Sequence, residues 1–398
     1  MPGKIIVSGV GCCLVDFLFN NMDFSSDIIR PFLSRKRGDG GLIPGQLVFK
    51  EEFEKFCGSA VESVLNRITG GRSPDNINIG GPSIVSLIHT AQIVDKETCE
   101  VRFYGRGGND DAGQYLLTSL QKTPVILHDY KLIDNQTPST FVLSDPEYDN
   151  RHGERMFINS MGAAWDYKPH DLDDIFFSSD IVVFGGTALV PRIHDHLTDL
   201  LKKAKSKGCI TIVNTVFDFR NEKGTPGKKW PLGESEESYR YTDLLITDLE
   251  EALRLSGENN IREAIRFFLD NKVSSFIITN GSKNITVYAD GRFFDPCPLK
   301  ELPVSAEVLE KLRTNEGGDT TGCGDNFAGG VIASIVTQLK DGIRYPDFQE
   351  ACCRGIVSGG FTCFYLGGTY FEKKTGEKRT KIEPYYESYK KQISGRIP

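Results

Sequence analysis

Strand-like runs alternate with helical ones along most of the chain, and this alternation limits the folds open to it more than any other feature. Apolar runs at Lys4 to Ser8, Val101 to Tyr104, Ile181 to Phe184, Cys209 to Val213, Leu244 to Ile246 and Phe276 to Thr279 are separated by segments of helical spacing. Examples are Pro191 to Ser206, Leu249 to Ser256 and Ile261 to Asn271. Strands joined through helices lie parallel, and a parallel sheet must be covered on both faces, so the pattern predicts an α/β, doubly wound sheet. Ligands of such sheets sit outside the carboxyl ends of the strands, where Gly9 to Asp16, Asp248 to Glu251 and Asn280 to Lys283 fall. Two regions break the alternation. Leu14 to Phe19 and Leu42 to Phe49 read as short strands, and Thr140 to Leu143 with Arg155 to Ile158 reads as a hairpin around the polar loop from Asp145 to Gly153.

The sharpest chemical signal is the run GGDTTGCGDNFAGG from Gly317 to Gly330. Glycines at 322 and 324 let backbone N–H groups crowd together, and Phe327, Val331, Ile332, Ile335 and Val336 follow with helical spacing. The free N–H groups of the first turn and the helix dipole then point at whatever sits over Gly322 to Asp325, which makes an anion site. Phosphate bound there repels a carboxylate, yet Asp325 is placed to take a proton from a hydroxyl attacking that phosphate. The competing reading of Asp325 is a plain helix cap. It leaves Gly329 and Gly330 unexplained, each costing about 1 kcal/mol relative to Ala unless backbone must approach closely there. Cys323, at the helix N-terminus, either has a lowered thiol pKa or stands in for a small residue without consequence. No G-x-x-x-x-G-K-[ST] phosphate loop occurs in the chain.

Asp319 to Asp325 (DTTGCGD) resembles the D-T-x-G-A-G-D signature of the ribokinase (PfkB) family of carbohydrate and nucleoside kinases, with Cys323 in the place of Ala. Other segments resemble that family in order. They are Val7 to Gly11 leading to Asp16, the double glycine Gly80-Gly81 before a helical stretch, Gly105 to Gly113, Asp248 to Glu251 in the place of N-x-x-E, and Ile277 to Gly281. The resemblance implies one ribokinase-like kinase domain over residues 1–398, with a small β-sheet lid from strands near 14–20, 41–50 and 139–158. It also implies ATP and Mg²⁺ as cosubstrate and metal, and a small sugar or nucleoside as acceptor. Asp325 would be the general base, and Gly322, Cys323 and Gly324 the anion hole. Asp16, Gly80 and Gly81 would hold substrate, and Thr279, Gly281 and Thr321 would meet ATP. Asp248 and Glu251 would steady Mg²⁺ through water, and Asp319 would bind a monovalent cation such as K⁺.

The departures from the family fall on recognition. Val85 stands where a substrate-binding Asn is usual, Asp248 replaces an Asn, and Asn284 stands where Gly is common. The first reading is a sugar kinase. An adenosine or other nucleoside kinase is the alternative, supported by the helical stretch Glu51 to Ile68 and by Phe17, Phe19, Phe141 and Phe157 in lid strands, which serve either as a wall for a base or as lid core and dimer contact. A degenerate metabolite-binding regulator is the alternative from another class. Arg106 is the first candidate for a cation near phosphate, with a solvated loop charge as its plain reading.

Composition restricts the partners. The net charge of −7 gives no basic footprint for nucleic acid or an anionic membrane, and no run of 18 apolar residues occurs. Ten cysteines lack any CxxC spacing, which predicts buried reduced thiols and a cytoplasmic protein. His194 and His196, two apart in a helical run, are expected at the surface. A homodimer through the lid is the expected assembly.

Overall fold

Ile5–Gly11 is almost wholly apolar and buried on both sides, as a strand at the centre of a parallel sheet must be. It pairs in parallel with Ile181–Gly185 on one side and Cys99–Gly108 on the other. The computed structural model describes residues 3–36, 38–151, 153–313 and 318–395. In spatial order the large sheet runs Cys297–Leu302, Ile285–Ala289, Ser275–Thr279, Leu244–Asp248, Ile210–Asn214, Ile181–Gly185, Ile5–Gly11, Cys99–Gly108 and Tyr130–Ile133. Ile285–Ala289 pairs antiparallel with both of its neighbours, and the other pairings are parallel. Gly11, Gly185, Asn214, Asp248 and Thr279 therefore end neighbouring strands along one edge.

Helix Cys323–Lys340 lies against Pro82–Ile93 and Phe348–Thr362, and its glycines explain the closeness. A Cβ on Gly329 would stand 2.5 Å from the carbonyl oxygen of Ser86, and one on Gly330 2.4 Å from Oγ of Ser358. Packing on two sides, not a ligand, accounts for these two glycines.

A second sheet orders Leu47–Phe49, Glu154–Ser160, Ser139–Asp145, Leu14–Phe19 and Asn76–Gly80. Asn76–Gly80 was not expected as a strand: its five residues offer only Ile77 and Ile79 as an alternating pair, and its partner lies some sixty residues away in the chain. The predicted strand from Leu42 shrinks to Leu47–Phe49, Leu42 making only an isolated bridge to Leu33. Cross-strand pairing sorts the side chains into two faces. Asn78, Asp16, Thr140, Asn159 and Phe49 form one row across the sheet, with Leu18, Val142, Phe157 and Leu47 beside it. The opposite face carries Ile77, Phe17, Phe141, Ile158 and Val48. Phe17 stacks on Phe141 with centroids 5.2 Å apart, over a cluster that includes Phe53, Val61 and Val64.

Those last residues come from helices Lys50–Cys57 and Val61–Thr69, which correct the single helix expected from Glu51 to Ile68. Gly58, at φ 64°, ends the first of them. The run from Pro191 likewise splits into Pro191–His194 and Leu197–Ser206. The break turns His194 inward, so the surface position expected for it is wrong. It is buried, bonded to Oγ1 of Thr187 at 2.9 Å and the carbonyl of Pro231 at 3.1 Å, while His196 is exposed. Among the described residues no helix is long and apolar enough to cross a membrane.

Candidate active site

Gly322, in the left-handed region at φ 73°, turns the chain into helix Cys323–Lys340, and among the described residues no side chain caps that helix. Its first-turn N–H groups are therefore left for another partner, apart from that of Cys323, which makes a long bond of 3.4 Å to the carbonyl of Thr320. Asp319 braces the turn: its Oδ1 accepts from N–H of Thr321 at 2.8 Å and of Gly367 at 3.4 Å. Gly317, the first residue of the run, lies outside the described residues. Asp325 is half-buried in the first turn of the helix, and withdrawal from water pushes its carboxyl up to about 7.

The second sheet presents its polar row to this turn. Asp16 is buried and pushed up to about 7, first by burial and then by the charges of Asp325 and Asp319, against a hydrogen bond from Thr140 and the charge of Arg155. Gly80 has no room for a Cβ, which would stand 2.2 Å from Oδ2 of Asp16. Gly81, at φ 109°, then turns the chain into helix Pro82–Ile93. In the same row as Asp16, Oδ1 of Asn159 is buried and has no hydrogen-bond partner among the described residues. A buried, unpaired acceptor on a polar face is suited to a donor such as a ligand hydroxyl. Arg155 reaches from the same sheet onto the turn, donating to Oγ1 of Thr321 at 2.5 Å and Oγ1 of Thr320 at 2.9 Å, with Oδ2 of Asp319 at 4.0 Å.

A third group sits where strand Leu244–Asp248 becomes helix Leu249–Ser256. Asp248 and Glu251 cap that helix reciprocally: N–H of Glu251 donates to Oδ1 of Asp248 at 2.8 Å, and N–H of Asp248 to Oε2 of Glu251 at 3.3 Å. Glu251 also accepts from Oγ1 of Thr215 at 2.5 Å. Burial first, then the charge of Asp248, push Glu251 up to about 8. Thr279 pairs with Asp248 across the strands, and Gly281 follows at φ 56°. Among the described residues no three His, Cys, Asp or Glu side chains cluster as a metal cage. The two capping carboxylates offer hard oxygen donors only, which suits a Mg²⁺ ion held mostly by phosphate and water.

Residues 80–374 match the pfkB family of carbohydrate kinases. The chain belongs to this family. Its fold is ribokinase-like: it resembles adenosine kinase from Sinorhizobium meliloti with a TM-score of 0.68 at 16% identity, covering 96% of this chain and all (100%) of that one. It resembles ribokinase from Thermotoga maritima with a TM-score of 0.60 at 18% identity, covering 96% and 99%. In sequence it matches the bifunctional protein HldE of Klebsiella pneumoniae (strain 342) at 23% identity over 167 residues, 41% of this chain and 31% of that one. The match thus spans under a third of the length of that curated relative.

The structure brings together Asp16, Gly80, Asp319, Thr321, Gly322, Cys323 and Asp325, and it goes against one of the two readings left open for Arg106, for Cys323 and for the lid aromatics. Arg106 is not at the turn: it pairs with Asp171 at 2.5 Å and lies over the ring of Tyr167. The lowered thiol is not Cys323. Its Sγ stands 3.4 Å from that of Cys363, whose hydrogen bond, with burial, raises Cys323, while Cys363 is the thiol lowered. Phe17, Phe19 and Phe141 face away from Asp16, and only Phe157 of the four aromatics shares its face. Sequence reasoning missed Arg155, Asn159 and Asn78, the last donating to the carbonyls of Leu366 and Thr369 at 3.0 and 3.4 Å. For Asn78 the alternation with Asn76 was a local signal, whereas Phe157 interrupts any such pattern between Arg155 and Asn159.

Proposed function

We propose that the protein transfers the γ-phosphate of ATP to a hydroxyl of a small sugar, with Asp325 as general base. The observation that carries this reading is a carboxylate pushed up to about 7 beside an uncapped helix N-terminus. A base works best with a pKa near the working pH, and the unspent N–H groups of Gly322 and Gly324 stabilise the charge of the transferred group. Asp16 and the orphan oxygen of Asn159 accept hydrogen bonds from acceptor hydroxyls, the latter offsetting Val85 in the place of the usual Asn. Arg155 supplies the positive charge at the phosphates by releasing Thr320 and Thr321.

ATP lies along the strand ends at Thr279, Gly281 and Thr321. Asp248 and Glu251 would steady Mg²⁺ through water, and the ion would supply positive charge to offset that of the phosphates. K⁺ would meet Asp319 through Oδ2, since Oδ1 is taken by the turn. The second sheet acts as a lid that keeps water from the transferred group. The ten cysteines, all free, suit a reducing compartment such as the cytoplasm.

A nucleoside as acceptor is the second reading. Phe49 and Phe157 lie on the Asp16 face, and Trp165, 41% exposed, meets Phe49 edge-on at 5.9 Å, which makes an apolar wall fit for a base. ATP consumption against a panel of sugars and nucleosides decides between the two. A hexose or pentose favoured at least about tenfold over every nucleoside removes the second reading, and the reverse preference removes the first. No turnover with any acceptor overturns both.

A further inference from the structure

Lys378, in helix Glu377–Ile393, is 1% exposed, and its ammonium donates not to a carboxylate but to an amide oxygen, Oδ1 of Asn326, at 2.8 Å. Asn326 follows the candidate base directly and is itself fully buried. Three donors converge on its Oδ1: Nζ of Lys378, Nδ1 of His89 at 2.8 Å and the hydroxyl of Tyr365 at 3.3 Å. Both hydrogens of its Nδ2 are committed as well, to the carbonyls of Gly322 and Gly368, each at 2.8 Å. Gly322 is the turn of the anion hole, and Gly368 belongs to the loop whose Gly367 N–H meets Asp319. One side chain thus ties the C-terminal helix to both halves of the anion turn.

A fully buried ammonium facing an amide is costly to keep. A charged donor on the amide oxygen also polarises the amide and strengthens what its N–H groups donate. We infer that Lys378 is a positioning residue for phosphoryl transfer, its ammonium pinning Asn326 so that Asn326 fixes the carbonyls of Gly322 and Gly368 under the anion turn. This rests on the reading of Asp325 and its turn as the transfer site.

The charged and titratable groups facing Lys378 set the accompanying pH behaviour. His89 is held well below its ordinary range by burial and by the charge of Lys378, so it is neutral. Tyr365 and Tyr370 place their rings 5.6 and 5.9 Å from Nζ, and Glu372 acts more distantly. Burial pushes Lys378 down to about 7 from 10.5. The unfolded chain therefore binds the extra proton between about 7 and 10.5, and the penalty carried by Lys378 is full below 7 and fades as pH rises through that window.

The test compares the full-length wild type with K378M, K378Q and N326S, using MgATP and the acceptor chosen by the panel. K378M is expected to lower kcat about tenfold or more while KM for ATP stays within about threefold, because a positioning loss acts on the transition state. Its melting temperature should equal or exceed that of the wild type, by a margin largest below pH 7 and shrinking toward pH 10. K378Q, which keeps a donor without the charge, should recover part of kcat, and K378M/N326S should be no slower than the slower single variant. Wild-type kcat in K378M, a fall in kcat matched by a fall in melting temperature, an unfolded K378M, or single losses that multiply in the double variant would each overturn the inference. Should N326S not fold, the split between K378M and K378Q decides. A wild type that consumes no ATP with any acceptor removes the transfer reading and this inference with it, whereas an active wild type with an equally active K378M sinks this inference alone.

Discussion

Two helices at the strand ends carry an acid at their third position, and the two acids are used in opposite ways. In Leu249–Ser256 the acid is Glu251, which closes a capping box with Asp248 and accepts a further bond from Thr215. In Cys323–Lys340 it is Asp325, behind a glycine that caps with no side chain. Both carboxyls are pushed up by burial, to about 8 and about 7. The first is anchored by structural bonds, while among the described residues the second has no hydrogen-bond partner in its own helix terminus or elsewhere. A raised carboxyl with its bonds satisfied is a fixed donor or acceptor; one without them is available to move a proton.

Substituting the unanchored acid is the strongest way to break this comparison. Asp325→Asn is expected to lower kcat by about 10² to 10⁴ with little change in ATP affinity, as loss of a general base does. Because the substitution removes no structural bond, the variant should melt no lower than the wild type. Steady-state rates and calorimetry on the same preparation check both halves, and an Asn variant at full speed removes Asp325 as the base.

Next in size is Arg155. Arg155→Met should cost about 10² in kcat, the usual toll of removing a preorganised charge at a developing anion. Arg155 bonds Thr320 and Thr321 at the anion turn, so its loss should also raise KM for ATP. A variant altered in neither would make it a brace for the turn and nothing more.

The anchored acid should answer differently. Glu251→Ala removes the reciprocal cap, expected to cost about 1 kcal/mol of stability, and should raise the Mg²⁺ concentration needed for half-maximal rate. Sign and pH window follow from the raised carboxyls. The folded protein holds protons on Glu251 up to about 8 and on Asp325 and Asp16 up to about 7, above the ordinary 4.5 and 3.8. Fewer protons are bound by the unfolded chain in that window, so wild-type stability should fall as pH rises from about 4 to 8. Asp325→Asn should flatten that fall, and melting curves at pH 5 and pH 8 suffice to measure it. Equal slopes in variant and wild type would mean that Asp325 is ionised throughout.

How much of this was legible depends on the range of the interaction. The βα alternation and the turn at Gly322 are local, written in consecutive residues, and the large sheet and the uncapped helix follow from them. The row of Asp16, Thr140 and Asn159 is not local, because it exists only once strands far apart in the chain pair in register. Arg155 is 165 residues from Thr320. Lys378 lies in the charged stretch EKRTK, which reads as solvated helix until the fold buries one of its members. Cys363 could be assigned its thiol chemistry only after helix Phe348–Thr362 had brought it to Cys323.

The smallest effect sharpens the comparison at the level of the second sheet, whose two faces divide the aromatics. Phe17 and Phe141 stack on the face away from Asp16, over Phe53 and its neighbours, so Phe17→Ala should act through stability, by about 3 kcal/mol or less for a half-buried ring, and should lower kcat/KM for sugar and nucleoside alike. Phe157 is half-buried on the Asp16 face, with the guanidinium of Arg155 5.8 Å from its ring centre. If a base stacks there, Phe157→Ala should raise KM for a nucleoside about three- to tenfold and leave a free sugar nearly unchanged, a stacking contact being worth about 0.5–1.5 kcal/mol. Both variants keep Asp325 and Asp16, so ATP turnover on the preferred acceptor serves as the internal control. Equal losses on sugar and nucleoside in Phe157→Ala would mean that no base meets that wall, and a nucleoside-specific loss in Phe17→Ala would contradict the division of the sheet into a substrate face and a packing face.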